Sequence, residues 1–297
     1  MKKGFTLVEL LIVIGILSLL TVTLMVSMGG GTESARSAKC LTNMSNLAKA
    51  VQSAGMVNGY YPLAGSVEHV KFDESRGVKN ATRLYYEQPG WISWKSQNAY
   101  NAGTSGHASS SSWIPSAYMD PADTDTRTYC LTNGVLWKHI SGNRELFVCP
   151  AHAIKMAAKK PLFTYVMNEY FGWDDSEGSK SKSENSRGRA YGALKRADRR
   201  LLFAEMQWHP TYGTEPRESS SGTDCDCTLQ YSKNECIGFN HLSGRDKTAH
   251  VVFADGHTEK LIMPKNKLSD SDLQDLTTWL CEGKDVAFNG KKYEELQ

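Results

Sequence analysis

The sequence predicts an α+β protein, with a long N-terminal helix packed on a small antiparallel sheet that carries large loops. Two observations predict it. An apolar run at the N-terminus continues into a stretch of helical periodicity, and short apolar segments bounded by turn formers recur in the second half. The composition fits such a chain. Of 297 residues, 40% are hydrophobic and 22% charged, which excludes a disordered or collagen-like protein. Lysine and arginine number 34 against 32 acidic residues, a net charge of +2 that argues against a nucleic-acid partner.

The helix comes first. From Phe5 to Met28 there is a single charge, Glu9. A helix of that length reaches about 36 Å, enough to cross a hydrocarbon core of roughly 30 Å. Lys2 and Lys3 precede it, so the positive end stays cytoplasmic and the remainder is exported. A secretory signal would place a small-residue cleavage site after a shorter apolar region. Here the small residue, Gly4, lies before the apolar run, so cleavage there leaves the membrane helix in place. Gly29-Gly30-Gly31 is the only breaker nearby, at about 1 kcal/mol per glycine, and is the expected flexible point. Thr32 to Ala54 then reads as an amphipathic helix whose apolar face is Cys40, Met44, Leu47, Val51 and Ala54. Gly55 to Pro62 ends it.

Met1-Lys2-Lys3-Gly4-Phe5-Thr6-Leu7-Val8-Glu9-Leu10 resembles the leader and mature start of type IV pilin-like proteins, which include the type II secretion pseudopilins. The resemblance implies a leader of residues 1–4, a transmembrane helix over 5–28, an amphipathic helix and turn over 29–62, and an exported head over 63–297. It implies that prepilin peptidase cuts between Gly4 and Phe5 and methylates the new N-terminus. Glu9 then takes the family's glutamate position and acts in assembly. A carboxylate near a membrane core costs about 2.5–3.5 kcal/mol, so it needs a partner, and the Phe5 amine of a neighbouring subunit is one. The implied setting is the bacterial inner membrane, single-pass, with the head in the periplasm or at the cell surface. The implied partners are other pilin or pseudopilin subunits in a homo- or hetero-oligomeric filament. The sequence departs from many pilins in having no proline between Phe5 and Met28.

The head is patterned unevenly. Ala64 to Gly142 is poorly patterned, and Asp174 to Arg189 reads as a polar loop. Leu146 to Pro150, Thr164 to Asn168 and Arg200 to Met206 read as strands. His250 to Ala254 and His257 to Ile262 flank Asp255-Gly256, a two-residue hairpin loop suited to a type I′ turn. A C-terminal helix starts at Ser269 as N-cap, carries Leu273, Leu276 and Leu280 on one face, and stops at Gly283. His241 followed by Asp255 and Gly256 resembles the processing-associated histidine…Asp-Gly motif of a large pilin-like subfamily. Thirteen residues separate His241 from Asp255, a longer spacing than is usual there. A tight turn alone also accounts for Asp255-Gly256.

Chemistry is sparse. Seven cysteines lie at 40, 130, 149, 225, 227, 236 and 281. Cys225, Cys227, Cys236 and His241 form the tightest cluster, a disulfide-pinned loop or a zinc site. The disulfide reading pairs Cys236 with Cys225 or Cys227, and Cys130 with Cys149. Asp120, Asp123 and Asp125 form an acidic knot that lacks the glycine and glutamate of an EF-hand loop. Calcium, which pseudopilins often hold, and zinc are the cofactors the sequence admits; none is assigned. No Gly-x-Ser-x-Gly, His-Glu-x-x-His or phosphate-loop sequence occurs, so no enzyme is expected. The alternative to a filament subunit is a membrane-tethered module that binds polysaccharide or protein through aromatic loops, Trp91 and Trp94 being the best pair. Packing is the other use for those rings. A tethered metalloenzyme built on the cysteine–histidine cluster is the third reading.

Overall fold

One helix organises the structure. In the computed structural model α1 (Leu7–Asn58) runs for 52 residues without a break. The residues described are 7–68, 90–95, 131–155, 161–174, 189–206, 228–229, 235–264 and 268–296. Of Glu9, residues 19–30, 65–68, 93–95, 155 and 173–174, that description covers the backbone alone. The expected flexible point at Gly29–Gly31 is not a break: α1 continues through all three glycines. A helix already propagating on both sides spans a few poor formers without a new nucleus, which is the costly step.

The two ends of α1 have different surroundings. Leu7, Val8 and Leu10 to Leu17 are exposed, with Leu7 at 78%. Cys40, Met44, Leu47, Val51 and Ala54 are fully buried, so the face predicted from their spacing is the one that packs. Among the described residues no helix is long and apolar enough to cross a membrane.

The remaining elements follow in chain order. β1 (Gly65–Glu68), β2 (Ser93–Lys95), α2 (Leu136–His139), α3 (Pro150–Lys155), β3 (Tyr165–Asn168) and β4 (Trp173–Asp174) come first. They are followed by β5 (Leu201–Glu205), β6 (Thr228–Leu229), β7 (His241–Ser243), β8 (Asp246–Phe253) and β9 (Thr258–Ile262). The C-terminal helix α4 (Asp270–Glu282) and the hairpin of β10 (Val286–Phe288) and β11 (Tyr293–Glu295) close the chain. The main sheet has six strands in the order β6-β3-β5-β8-β7, with β9 also paired to β8. It is mixed, not antiparallel as expected, because β6 runs parallel to β3. A second, parallel sheet has the order β2-β1-β4.

Register decides what meets α1. β8 carries β9 along one edge, Thr248 to Val252. Its other pairings are with β7 at Asp246 to Thr248 and with β5 at Val251 to Phe253. The start of β7 and the end of β5 are therefore neighbours on one stretch of β8. α1 packs on β5, β7, β8 and β9.

Two local expectations differ from the structure. Leu146 to Pro150 is not a strand: Arg144–Phe147 forms a 3-10 turn and Pro150 opens α3. Asn143 caps that turn by accepting from Glu145 N at 3.1 Å, a local bond that competes with extended backbone. The Asp255-Gly256 loop is not type I′, which needs positive φ at both central residues. Only Gly256 has one, at +95°, and Gly256 N bonds Phe253 O at 2.9 Å. That is a type I turn closed by a left-handed residue, steadied by Asp255 Oδ1 accepting from His257 N at 3.0 Å. α4 matches its expectation: Ser269 and Asp272 form a capping box, Leu273, Leu276 and Leu280 are buried, and Gly283 terminates it.

The core centres on Trp91, which is fully buried. It stacks on Phe147 at 5.8 Å and meets Phe163 and Phe203 edge-on at 6.2 and 4.8 Å. Trp91 is therefore a packing residue and is unavailable as a surface platform. Gly134 lies so close beneath it that a Cβ would sit 2.2 Å from Trp91 O. Trp91→Ala should lower the stability of the detergent-solubilised chain by about 3–5 kcal/mol in denaturant unfolding. A loss below about 1 kcal/mol would show that this aromatic group is not the centre of the core.

Candidate functional site

A cluster of ionisable side chains lies where α1, β5, β7 and β8 converge. Cys40 comes from α1, Glu205 from the last position of β5, His241 from the first of β7 and His250 from β8. All four are fully buried. Each offers one ligand atom, and these atoms lie within 4.8 Å of one another. Cys149, also fully buried, adds a second thiol.

The backbone explains why they meet. Gly238 N bonds Glu205 O at 2.9 Å, and Asn240 Nδ2 donates to Met206 O at 2.8 Å. The chain thus follows the end of β5 into β7. A Cβ on Gly238 would lie 2.1 Å from Met206 O, so only glycine allows that approach. On the other side, Asn43 Nδ2 donates to Glu145 O and Val148 O, both at 3.1 Å. Cys149 N donates to Thr164 Oγ1 at 2.6 Å. These bonds bring the segment before α3 against α1 and set Cys149 beside Cys40.

Glu205 Oε1 is the hub. It accepts from Cys40 Sγ at 2.7 Å, pairs with His241 Nε2 at 2.8 Å and lies 3.3 Å from His250 Nδ1. Cys149 Sγ is 3.2 Å from His241 Nε2, and Tyr165 donates its hydroxyl to Cys40 Sγ at 3.4 Å. The outer nitrogens are also placed. His241 Nδ1 faces Glu33 Oε1 at 3.4 Å, and His250 Nε2 bonds Ser37 Oγ at 3.0 Å. The two imidazoles are 4.2 Å apart, centroid to centroid. Glu205 Oε2, His241 Nδ1 and His250 Nδ1 are buried without a well-aligned hydrogen bond, a rare condition for polar atoms in a folded core.

The electrostatics follow from the contacts. Burial opposes charge on Glu205, but the His241 hydrogen bond and the His250 imidazole close by outweigh it and hold the carboxyl at about 2. Burial opposes a charged His241, but bonds to Cys149 and Glu205 prevail and lift it to about 10. Burial, with Cys149 and Glu205 nearby, pushes the Cys40 thiol up. Cys149 is lowered despite its burial, through its bonds to Cys40 and His241. The cluster can hold a proton between a carboxylate and an imidazole. Its S, N and O donors also suit a transition metal.

The residues singled out in the sequence are distributed as follows. His241 belongs to the cluster. Cys236 is a buried thiol next to Ile237, whose N donates to Thr277 Oγ1 at 3.2 Å. Cys225, Cys227, Cys130, Asp120, Asp123 and Asp125 lie outside the described residues, as do Gly4 and Phe5. The bridges expected for Cys236 and Cys149 are not seen, because both are thiols. Asp255 and Gly256 are at the far end of β8 from His241, against α1, where Gln52 Nε2 donates to Ala254 O at 3.4 Å. Glu205, His250 and Cys40 were not site candidates from sequence, and Cys149 was read only as a disulfide partner of Cys130. A carboxylate in the apolar run Leu201 to Met206, and a histidine opening an apolar strand, were the available signals.

Residues 1–25 match the model of the prokaryotic N-terminal methylation motif. The chain therefore carries a prepilin-type cleavage and methylation motif, the mark of pilin-like proteins. That motif implies processing by prepilin peptidase and a membrane-anchored, exported protein. No curated protein and no solved structure matches the chain.

The shifts of Glu205 and His241 predict a pH window. A lowered carboxyl stabilises the fold above its ordinary value of 4.5, and that is lost as pH falls toward 2. A raised imidazole stabilises below its ordinary 6.5, and that is lost as pH rises through about 10. In chelating buffer, thermal melting should therefore peak between pH 4.5 and 6.5, with both limbs shrinking in Glu205→Gln. A pH-independent melting point would disprove the ion pair.

Proposed function

We propose that this chain is a structural pilin-like subunit, processed by prepilin peptidase and assembled into a type IV pilus or type II secretion filament. The observation that carries the reading is the prepilin motif at the head of one unbroken helix. The first turns of that helix expose leucine, isoleucine and valine, while its second half is built into the head. Apolar side chains on a projecting helix need a lipid or protein environment. A membrane before assembly and neighbouring helices afterwards supply both.

In this reading residues 5–28 span the inner membrane and the head is exported. Phe5 becomes the methylated N-terminus. Glu9 pairs with the Phe5 amine of an adjacent subunit, since a desolvated carboxylate without a cation is strongly disfavoured. The rival reading, a tethered binding module, loses Trp91 to the core.

Mass spectrometry of the mature protein should find Phe5 as its first, methylated residue, and Gly4→Val should retain the leader. A mature chain starting elsewhere would rule out this processing. Glu9→Leu should insert and be cleaved normally, with an unchanged head melting temperature, but give at least about tenfold less filament, as expected for losing a pair worth several kcal/mol. Equal filament yield in the two proteins would remove the assembly role from Glu9.

A further inference from the structure

We infer that Cys40, Glu205, His241 and His250 form a structural site for a transition-metal dication of the zinc class, clasping the N-terminal helix to the sheet. The inference stands on the head alone and is independent of the filament reading.

The donor set selects the ion. One thiolate, two imidazoles and one carboxylate suit zinc, which takes S, N and O ligands in tetrahedral sites. Calcium takes six to eight oxygens, and only Glu205 among the four supplies any. Charge agrees as well. A Cys40 thiolate and the Glu205 carboxylate neutralise a dication, leaving a buried centre with no net charge. Loading releases the Cys40 thiol proton to solvent, and both imidazoles bind in the neutral form.

Geometry is the stronger argument. The ligand atoms already converge, with Glu205 Oε1 2.7 Å from Cys40 Sγ, 2.8 Å from His241 Nε2 and 3.3 Å from His250 Nδ1. Tetrahedral zinc, with bonds of about 2.0–2.3 Å, separates its ligand atoms by roughly 3.3–3.8 Å. A movement of under about 1 Å per side chain would admit it. The surroundings are those of a metal site. Metal-bound histidines use their second nitrogen to bond a carboxylate, carbonyl or similar group. His241 Nδ1 faces the Glu33 carboxylate, and His250 Nε2 bonds the Ser37 hydroxyl. Tyr165 donates to Cys40 Sγ. His250 Nδ1, buried and without an aligned hydrogen bond, points at the same carboxylate oxygen that the other two ligands share.

All four ligands are fully buried, so the centre keeps no open coordination position and is structural, not catalytic. Glu33 and Ser37, which orient the histidines, belong to α1 along with Cys40. The ion thus links about two turns of the helix to three strands of the sheet.

The test uses the full chain, purified in detergent without chelator. Elemental analysis should find about one zinc per chain. Cobalt(II) exchanged into the same protein should give the thiolate charge-transfer and tetrahedral visible bands of a Cys-ligated site. Cys40→Ser should abolish those bands, and His250→Ala should lower metal content at least about tenfold. The double variant Cys225→Ser/Cys227→Ser should keep its metal, which separates this centre from one built on those cysteines. Chelation should lower the melting temperature of the parent by at least about 5 °C. A chain purified without metal, or with a Cys40–Cys149 disulfide by non-reducing peptide mapping, would overturn the inference. So would full metal content in Cys40→Ser. Should that variant not fold, cobalt bands lacking thiolate character in the parent would decide against it equally.

Discussion

A carboxylate with no access to water has to be surrounded by donors, and Glu205 sets that requirement for the whole head. Its Oε1 draws on Cys40 of α1, His241 of β7 and His250 of β8. Four elements, α1, β5, β7 and β8, must be in register before these contacts form. Apolar packing is permissive about small slips, whereas a buried hydrogen-bonded charge is not. A one-residue slip of β5 against β8 would send Glu205 to the other face of the sheet. The cluster therefore acts as a register pin for the placement of α1, while Trp91 and its aromatic neighbours are among the largest fully buried side chains of the core.

The same arrangement gives the long β8–β9 hairpin a second use. Near its base, His250, with His241 of the adjoining β7, meets the helix around Glu33, Ser37 and Cys40. At its tip, Ala254 and Gly256 meet Gln52. α1 is held at two stations, roughly 23 Å apart along its axis from Ser37 to Gln52. The histidine and the Asp-Gly turn that resemble a family motif are not brought together. They mark the two stations. The intervening strand, Ala249 to Phe253, is buried throughout and fills the space between.

Much of this architecture was legible because its signals are local. The face Cys40 to Ala54 follows from three- and four-residue spacing, and the cap at Ser269 from the residue types around it. The strand Leu201 to Glu205 announced itself as a continuous apolar run. The mixed sheet was not legible, since pairing β6 with β3 joins segments sixty residues apart with no periodic mark of their direction. The 3-10 turn at Arg144–Phe147 was hidden because the short apolar run Leu146 to Cys149 that overlaps it reads alike in helix and strand. The cluster was hidden for a related reason. His241 was sought among the cysteines nearest in sequence, while its partners come from positions 40, 149 and 205. Spatial assembly across a sheet leaves no spacing to find. What sequence did hold were two anomalies, a glutamate ending one apolar run and a histidine opening another.

The unbroken course of α1 has a mechanical consequence. At about 1.5 Å per residue its 52 residues make a rod of about 78 Å, with the head fixed to one end only. Axial tension on the exposed end reaches the head without a hinge at the glycines to absorb it. Because the two stations lie along the same axis as the pull, they are loaded together in shear and cannot be peeled in turn. Bending is different. A sideways force multiplies over the free arm and falls mainly on the station nearest it, the buried Cys40–Glu205–His241 junction. That buried polar junction thus sits where the torque is greatest.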